Sequence, residues 1–371
     1  MVSGSNRNWL NYINWQIDFY KRARSKPRSD PEFPWALVDS GAHIFGRLAK
    51  RALHMIGLHR DLLPLEWLNN NAESLWESRS LLNDDLSKLL FDSTLVLRVT
   101  SHRQFYFPRI NFHDVVEIVD EKPFHYSDLP KDYIGLPLKV FVIQLRAHSN
   151  SNTITTIPIN IVTSKENLIL INSYRQYLLR RDSVDLSPAP GDVVLDCGSC
   201  IGDTSLIFAG LVADQGEVHS FDPIPLHTQY CQLQASLNPS LAHILHINQL
   251  AVSNCTYVTK GNKSDSDKIA PGGKLVIDSY ISTRLDDYAR NKLSRVDFIK
   301  MDIEGAEINA IDGAAEIIQE FKPRLAISAY HKPEDLWEIP LKLKSLNPKY
   351  EMYFEHHSPM NWESVFYAVQ R

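Results

Sequence analysis

Residues 193–204, Val-Val-Leu-Asp-Cys-Gly-Ser-Cys-Ile-Gly-Asp-Thr, restrict the fold more than any other stretch of the chain. A β-branched apolar run ends in an acid, two glycines follow four apart, and a helix start comes next. A buried strand brings the chain to a sheet edge, the glycines allow close approach of backbone to a ligand, and the helix N-terminus opens on the same space. The stretch is therefore expected to form a nucleotide-type pocket on a doubly wound α/β sheet. Its pattern is D-x-G-x-x-x-G (Asp196, Gly198, Gly202), with Cys200 where G-x-G-x-x-G requires glycine. That departure argues against a cofactor bound through a pyrophosphate.

The alternation that follows supports such a sheet. Apolar strands are expected at Val193 to Asp196, Glu217 to Asp222, Ile244 to Val252, Val296 to Asp302 and Arg324 to Ala329, with helices between them. Two further strands, Tyr350 to Glu355 and Ser364 to Val369, are joined by too short a turn for a parallel crossover, so this last pair is expected to be antiparallel. Residues 255–285 fit this scheme poorly. They read either as an excursion over the sheet edge, a hairpin or lid near the substrate, or as a surface loop.

Before Pro188 the reading changes. Residues 1–90 look mainly helical, 91–187 look like a mixed α/β region, and 188–371 form the doubly wound domain. Trp9, Tyr12, Ile13, Ile17 and Tyr20 fall near helical spacing, ahead of the basic cluster Lys21, Arg22, Arg24, Lys26 and Arg28. Such a helix either packs on its own protein or lies on a membrane surface; packing is the expected reading. Strands are expected at Thr94 to Thr100, Lys139 to Leu145 and Thr153 to Val162, and a helix carrying Tyr174, Tyr177 and Arg180-Arg181.

Bulk properties narrow the classes. The 371 residues carry 44% hydrophobic and 22% charged side chains and a formal net charge of -5. This is ordinary globular composition with no basic field of the kind nucleic acid attracts. No apolar run is long enough to cross a bilayer, and the first residues lack the apolar core of a secretory signal. Four cysteines in this length suggest no disulfide scaffold, so a cytoplasmic location is expected. Cys197 and Cys200 make a C-x-x-C pair, which fits a redox or zinc site or two ordinary loop positions. Cys231 and Cys255 supply no matching ligand spacing, and the loop reading is preferred.

Charges inside the fourth strand mark the candidate site. In Phe298-Ile-Lys-Met-Asp-Ile-Glu-Gly-Ala-Glu307, the residues Lys300, Asp302 and Glu304 alternate toward the strand's carboxyl end, where open α/β sheets bind ligands. They either pair structurally or meet ligand, and function is favoured for Asp302. Glu307 suits the start of a helix. His331 follows the fifth strand and is a candidate general base; His356 and His357 end the sixth and are expected near the same cleft. Asp222, at the end of the second strand, is placed for ribose hydroxyls, and the stretch Asn248 to Ser253 for the border of an adenine.

Residues from about 188 to 370 resemble the FkbM-type methyltransferase family. The matching stretches are Pro-Gly-Asp-Val-Val-Leu-Asp-Cys-Gly, Ser-Phe-Asp-Pro-Ile-Pro, Thr-Arg-Leu-Asp-Asp, Phe-Ile-Lys-Met-Asp-Ile-Glu-Gly-Ala-Glu, Ala-Tyr-His-Lys-Pro-Glu-Asp-Leu and the Glu-His-His…Glu-Ser-Val-Phe-Tyr-Ala tail. The resemblance covers about half the chain and leaves the first half unexplained. It implies a Rossmann-like class I methyltransferase sheet, mostly parallel with an antiparallel last strand, and S-adenosylmethionine as cofactor. It also implies methylation of an oxygen, often on a sugar, glycan or natural-product hydroxyl.

On this reading Asp196 takes the cofactor's ammonium. Gly198, Ser199 and Gly202 form its loop, and Asp222, Asn248 and Asp302 complete its site. His331 is the expected base, with Asp302 positioning the acceptor and Lys300 as the third catalytic residue. A divalent metal on Asp302, Glu304 and a histidine is conceivable but is not required by the spacing. Acceptors with an amine or carboxyl group, and a non-catalytic cofactor-binding scaffold, are the alternatives.

Overall fold

A computed structural model describes residues 4–25, 63–100, 116–133, 135–148, 154–181, 184–260, 279–358 and 361–371. The chain begins with helices α1 (Gly4–Ser25), α2 (Leu65–Asn70), α3 (Ala72–Ser80) and α4 (Asp85–Thr100). Trp9, Ile13 and Ile17 of α1 recur every four residues and are buried, so this stripe faces the protein's own core. Trp9 Nε1 donates to Asp92 Oδ1 at 2.8 Å, and Arg79 clamps the same carboxylate at 2.8 and 2.9 Å. Tyr12 and Trp15 lie on the exposed face. The side chains of the basic cluster at 21–28 are outside the described residues.

The expected strand Thr94 to Thr100 is instead the last part of α4. Every residue from Leu90 to Thr100 is buried, so no polar face remains to reveal a helical period. Thr94 and Thr100 donate their hydroxyls back to Leu90 O and Val96 O, both at 2.8 Å, which a helix permits. The helix also runs across the expected boundary at residue 90.

Next come β1 (Val116–Pro123), β2 (Asp132–Tyr133), β3 (Leu136–His148) and β4 (Ile154–Ser164), an antiparallel sheet in which β3 pairs with the other three. Helix α5 (Lys165–Ser173) follows, capped by Ser164 Oγ accepting from Asn167 N at 3.1 Å. The helix expected over Tyr174 to Arg181 is absent. Arg175 and Tyr177 take left-handed φ of 50° and 64°, and β5 (Arg180–Arg181) pairs with β6 (Val184–Asp185).

The main sheet contains β7 (Val193–Cys197), β8 (Glu217–Phe221), β9 (Leu245–Asn248), β13 (Phe298–Met301), β14 (Arg324–Ser328), β15 (Glu351–His356) and β16 (Ser364–Val369). Its order is β15-β16-β14-β13-β7-β8-β9. The five strands from β14 to β9 run parallel, whereas β16 is antiparallel to both β14 and β15. A smaller sheet, β10 (Ala251–Val252), β11 (Tyr257–Lys260) and β12 (Ser279–Thr283), flanks it. The expected third strand thus splits between β9 and β10. β11 and β12 are the antiparallel arms of the excursion, and 261–278 lie outside the described residues.

Helices α6 (Asp203–Val212), α7 (Pro225–Leu237), α8 (Leu285–Lys292), α9 (Glu307–Asp312), α10 (Ala315–Phe321) and α11 (Asp335–Leu346) connect these strands. Two-residue alternation sends the strand side chains into two core layers. Leu195, Ile299, Ile327, Phe354 and Phe366 face a layer that includes the N-terminal helices; Phe91 meets Phe354 and Phe366 there at 5.4 and 6.3 Å. Val194, Phe298, Ala326 and Tyr367 face the opposite layer, which β3 and β4 share with α6. A Cβ at Gly210 of α6 would lie 2.5 Å from Leu145 of β3, so the first half of the chain sits directly on the sheet's outer helix. Among the described residues no helix is long and apolar enough to cross a membrane.

Candidate active site

The carboxyl ends of β7, β8 and β13 open on a cavity of about 600 Å³, at the point where strand order reverses. Its floor is the glycine loop. Gly198 has φ +82°, and a Cβ there would fall 1.8 Å from Asp302 O. Only glycine therefore lets the ends of β7 and β13 meet. Gly202, at φ +78°, starts α6 against Cys231. Gly198, Ser199 and Cys200 line the cavity.

Asp196 does not line it. The carboxylate is fully buried, pairs with Lys300 Nζ at 3.0 Å and accepts from Ser205 Oγ at 2.5 Å. Lys300 also donates to Gly198 O at 2.7 Å and Cys197 O at 3.3 Å. Burial opposes the ammonium charge, but Asp196 and Asp302 more than offset it and raise the lysine pKa. Both residues thus brace the glycine loop from beneath. Asp196 faces Lys300 and not the cavity, whereas Lys300 lines the cavity with its ammonium held on Asp196 and the loop carbonyls. All four cysteines are free; burial pushes the Cys197 and Cys200 thiols up, so neither is an activated thiolate.

Asp222 lines the cavity at the end of β8. Its oxygens accept from Ile224 N at 2.9 Å and Cys200 N at 3.0 Å, and His227 Nδ1 lies 2.8 Å away. Tyr133 of the antiparallel sheet reaches His227 Nε2 at 3.1 Å and lines the same cavity. Asn248 is turned elsewhere, donating to Ser220 O and His246 O at 3.2 and 2.9 Å. Leu250 to Ser253, from the stretch expected there, border the cavity together with Tyr257, Tyr280 and Ser282 of the small sheet.

Around Asp302 the cavity wall is polar. Asp302 accepts from Tyr177 Oη at 2.7 Å and from Tyr330 Oη at 3.0 and 3.2 Å. Burial would raise its pKa, but His331, Lys300 and the two tyrosines hold it below the usual value, so it is anionic. Gln176 Nε2 donates to Tyr177 Oη at 3.0 Å and also to Glu363 Oε2. Glu363 lines the cavity, and burial and Asp302 push its carboxyl up to about 8. Strand alternation ends after Asp302: Glu304 and Gly305 form a turn at φ 56° and 91°.

His331 sits among three carboxylates. Its side chain is only 2% exposed, and Nδ1 lies 2.8 Å from Glu307 Oε1. Nε2 lies 3.3 Å from Asp302 Oδ1 and 3.7 Å from Glu304 Oε2. Burial works against its charge, yet these carboxylates raise its pKa to about 9, so it is an imidazolium at neutral pH and holds no free lone pair. It does not line the cavity. His356 bonds Ser364 at 2.9 Å. His357 bonds Tyr174 O and Tyr367 at 2.7 and 2.8 Å, its pKa lowered to about 3 by burial. Both histidines brace the β15–β16 end and do not line the cavity.

Asp302, Glu307 and His331 each bring a metal-type ligand atom within 4.8 Å of the others. Glu307 already accepts from Ile303 N at 2.9 Å and pairs with the imidazolium, so the cluster is accounted for as a charge network. Glu217, His219 and His246 form a second such group on β8 and β9, apart from the cavity.

Sequence reading missed Tyr133, Gln176, Tyr177, His227, Tyr330 and Glu363. Glu363 and Tyr330 carried a usable signal, since each sits at the border of a predicted strand at the sheet's binding edge. Gln176 and Tyr177 come from a loop with no local pattern.

The family model described as the methyltransferase FkbM domain matches residues 196–361. The solved methyltransferase FkbM from Methylobacillus flagellatus KT is 21% identical, with a TM-score of 0.52; the match covers 81% of this chain and 60% of that one. This chain thus spans about three fifths of that relative's length, and the likeness is one of fold. Fibrillarin from Aeropyrum pernix, solved with bound S-adenosyl-L-methionine, is 11% identical over 68% of this chain and 99% of its own, with a TM-score of 0.35. The fibrillarin pre-rRNA processing protein of Methanococcus jannaschii is 12% identical over 66% and 99%, with a TM-score of 0.36. No curated protein matches the sequence.

Proposed function

We propose, from the premise that this chain contains an FkbM-family methyltransferase domain over residues 196–361, that it transfers a methyl group from S-adenosylmethionine to a hydroxyl of a sugar, glycan or natural product. The observation that carries this reading is one cavity lined both by the glycine loop with Asp222 and by an anionic Asp302 held by two tyrosines.

The residues suit the cofactor. The loop at Gly198, Ser199 and Cys200 would face its amino-acid part, and Asp222 with Leu250 to Ser253 its nucleoside. Bound S-adenosylmethionine supplies an electrophilic methyl carbon on a sulfonium. The protein's part is to hold an acceptor oxygen in line with that carbon, and such positioning is worth roughly 7–11 kcal/mol. Asp302 accepts a hydrogen bond from a hydroxyl of the acceptor next to the reacting one and orients it, while Lys300 and Asp196 fix the adjoining glycine loop.

The anionic Asp302 disfavours a carboxylate acceptor beside it, which like charge would repel. The four free cysteines favour a reducing compartment such as the cytoplasm.

Labelled S-adenosylmethionine incubated with hydroxylated sugars, glycans and polyketides tests the reading. Label in a hydroxyl acceptor supports it. Label only in amines moves the function to N-methylation, and calorimetric cofactor binding with no transfer to any acceptor favours a scaffold. Absence of cofactor binding by the folded protein would sink all three.

A further inference from the structure

We propose that Glu363 is the general base that removes the acceptor's proton, with Gln176 and Tyr177 positioning it; this rests on the O-methylation reading. Glu363 lines the cavity, and like Glu304 it does so from a left-handed backbone position; Glu363 is in addition held by Gln176. It precedes β16 and takes a left-handed φ of 70°, which L residues avoid. Non-glycine residues held in such a conformation cost on the order of 1–3 kcal/mol and cluster where a side chain must be aimed. The turn is locked because His357 N donates to Glu363 O at 2.8 Å. The side chain is fixed by Gln176, whose Nε2 also reaches Tyr177 Oη at 3.0 Å, and Tyr177 in turn donates to Asp302 Oδ2 at 2.7 Å. Glu363 and Asp302 are thereby linked through two side chains and line one cavity.

The two carboxylates divide the work. Asp302 faces Lys300, His331 and two tyrosine hydroxyls, all of which favour its anion and make it a weak base. The charged groups that reach Glu363 are Asp302 and Glu304 after β13, Lys300 on β13 and His331 after β14. Burial and Asp302 raise Glu363 to about 8, where a carboxylate is basic enough to accept a hydroxyl proton as attack proceeds. In the step, the acceptor oxygen bonds to the methyl carbon as the carbon–sulfur bond breaks, leaving its electron pair on sulfur and a neutral thioether. The hydroxyl proton passes to Glu363, and solvent later removes it.

The test compares wild type, Glu363→Gln and Glu363→Asp. Calorimetry with S-adenosylmethionine is expected to give affinities within about threefold of one another, since general-base work lies outside ground-state cofactor binding. With a hydroxyl acceptor, Glu363→Gln is expected to lose about 10²–10⁴-fold in turnover, the usual worth of a general base. Wild-type kcat/KM should rise with a midpoint near pH 8 toward a plateau about one pH unit higher, a limb missing from Glu363→Gln and partly restored in Glu363→Asp. A Glu363→Gln protein with the wild-type rate and pH profile overturns the proposal. A wild-type protein that binds cofactor yet methylates no hydroxyl sinks the O-methylation reading instead. Infrared difference spectra between wild type and Glu363→Gln then still decide about Glu363: a protonated carboxyl band lost between pH 7 and 9 supports the assignment, and its absence overturns it.

Discussion

His331 Nδ1 stands 2.8 Å from Glu307 Oε1 while Nε2 faces Asp302 Oδ1 at 3.3 Å, so the imidazole is a cation clamped between two carboxylates. The pair ties the end of β14 to the start of α9. It keeps Asp302 ionised beside the cavity without itself entering it.

Stability should therefore fall as pH rises through this group. His331 has a folded pKa of about 9 against an ordinary 6.5. Its contribution is complete below pH 6.5 and is lost as pH climbs through 9, at about 1.4 kcal/mol per pH unit for one proton. Urea unfolding at pH 6.5 and 9 should show wild type losing on the order of 2–3 kcal/mol more than His331→Gln. Equal pH dependence in the two proteins would remove the imidazolium.

Chelation should leave methyl transfer unchanged. The atoms a metal would need on Asp302, Glu307 and His331 are taken by the imidazolium pair and by Ile303 N. Activity measured after exhaustive treatment with a chelator checks this, and loss that added magnesium or manganese restores would place a metal there.

Lys300→Met should destabilise the fold by about 3–5 kcal/mol, because it strands a fully buried Asp196. Pairing it with Asp196→Asn should recover part of the loss. Denaturant midpoints of the two single variants and the double variant measure the coupling. A Lys300→Met protein of wild-type stability but no turnover would return Lys300 to the chemistry.

Gly198→Ala should cost more than about 2 kcal/mol and abolish cofactor binding, since the added carbon meets Asp302 O at 1.8 Å and the backbone is left-handed. Asp222→Ala should leave the fold closer to intact but weaken cofactor affinity about tenfold or more, by loss of a charge-assisted hydrogen bond. Calorimetry with thermal unfolding separates the two effects. Unchanged affinity in Asp222→Ala would exclude it from the nucleoside end.

Much of the fold is legible because its signals are local. Val193 to Cys197 alternates into two layers, Gly198 and Gly202 need positive φ, and the short turn before Ser364 forces an antiparallel strand. The site is less legible. Thr94 to Thr100 reads as strand because burial on every side erases the helical period. Lys300 and His331 look like reactive groups at a strand end, yet each is committed to a buried partner far along the chain.

The sequence alone determined a doubly wound sheet, its antiparallel end, the glycine loop and the carboxylates at Asp222 and Asp302, since periodicity and backbone stereochemistry belong to short stretches. Tertiary structure decided which charged groups face the cavity and which face one another. Asp196 found Lys300, His331 found Glu307, and a loop from the first half brought Gln176 and Tyr177 beside Glu363. A side chain's proton affinity is set by its neighbours in space, and those come from elements that no local pattern links.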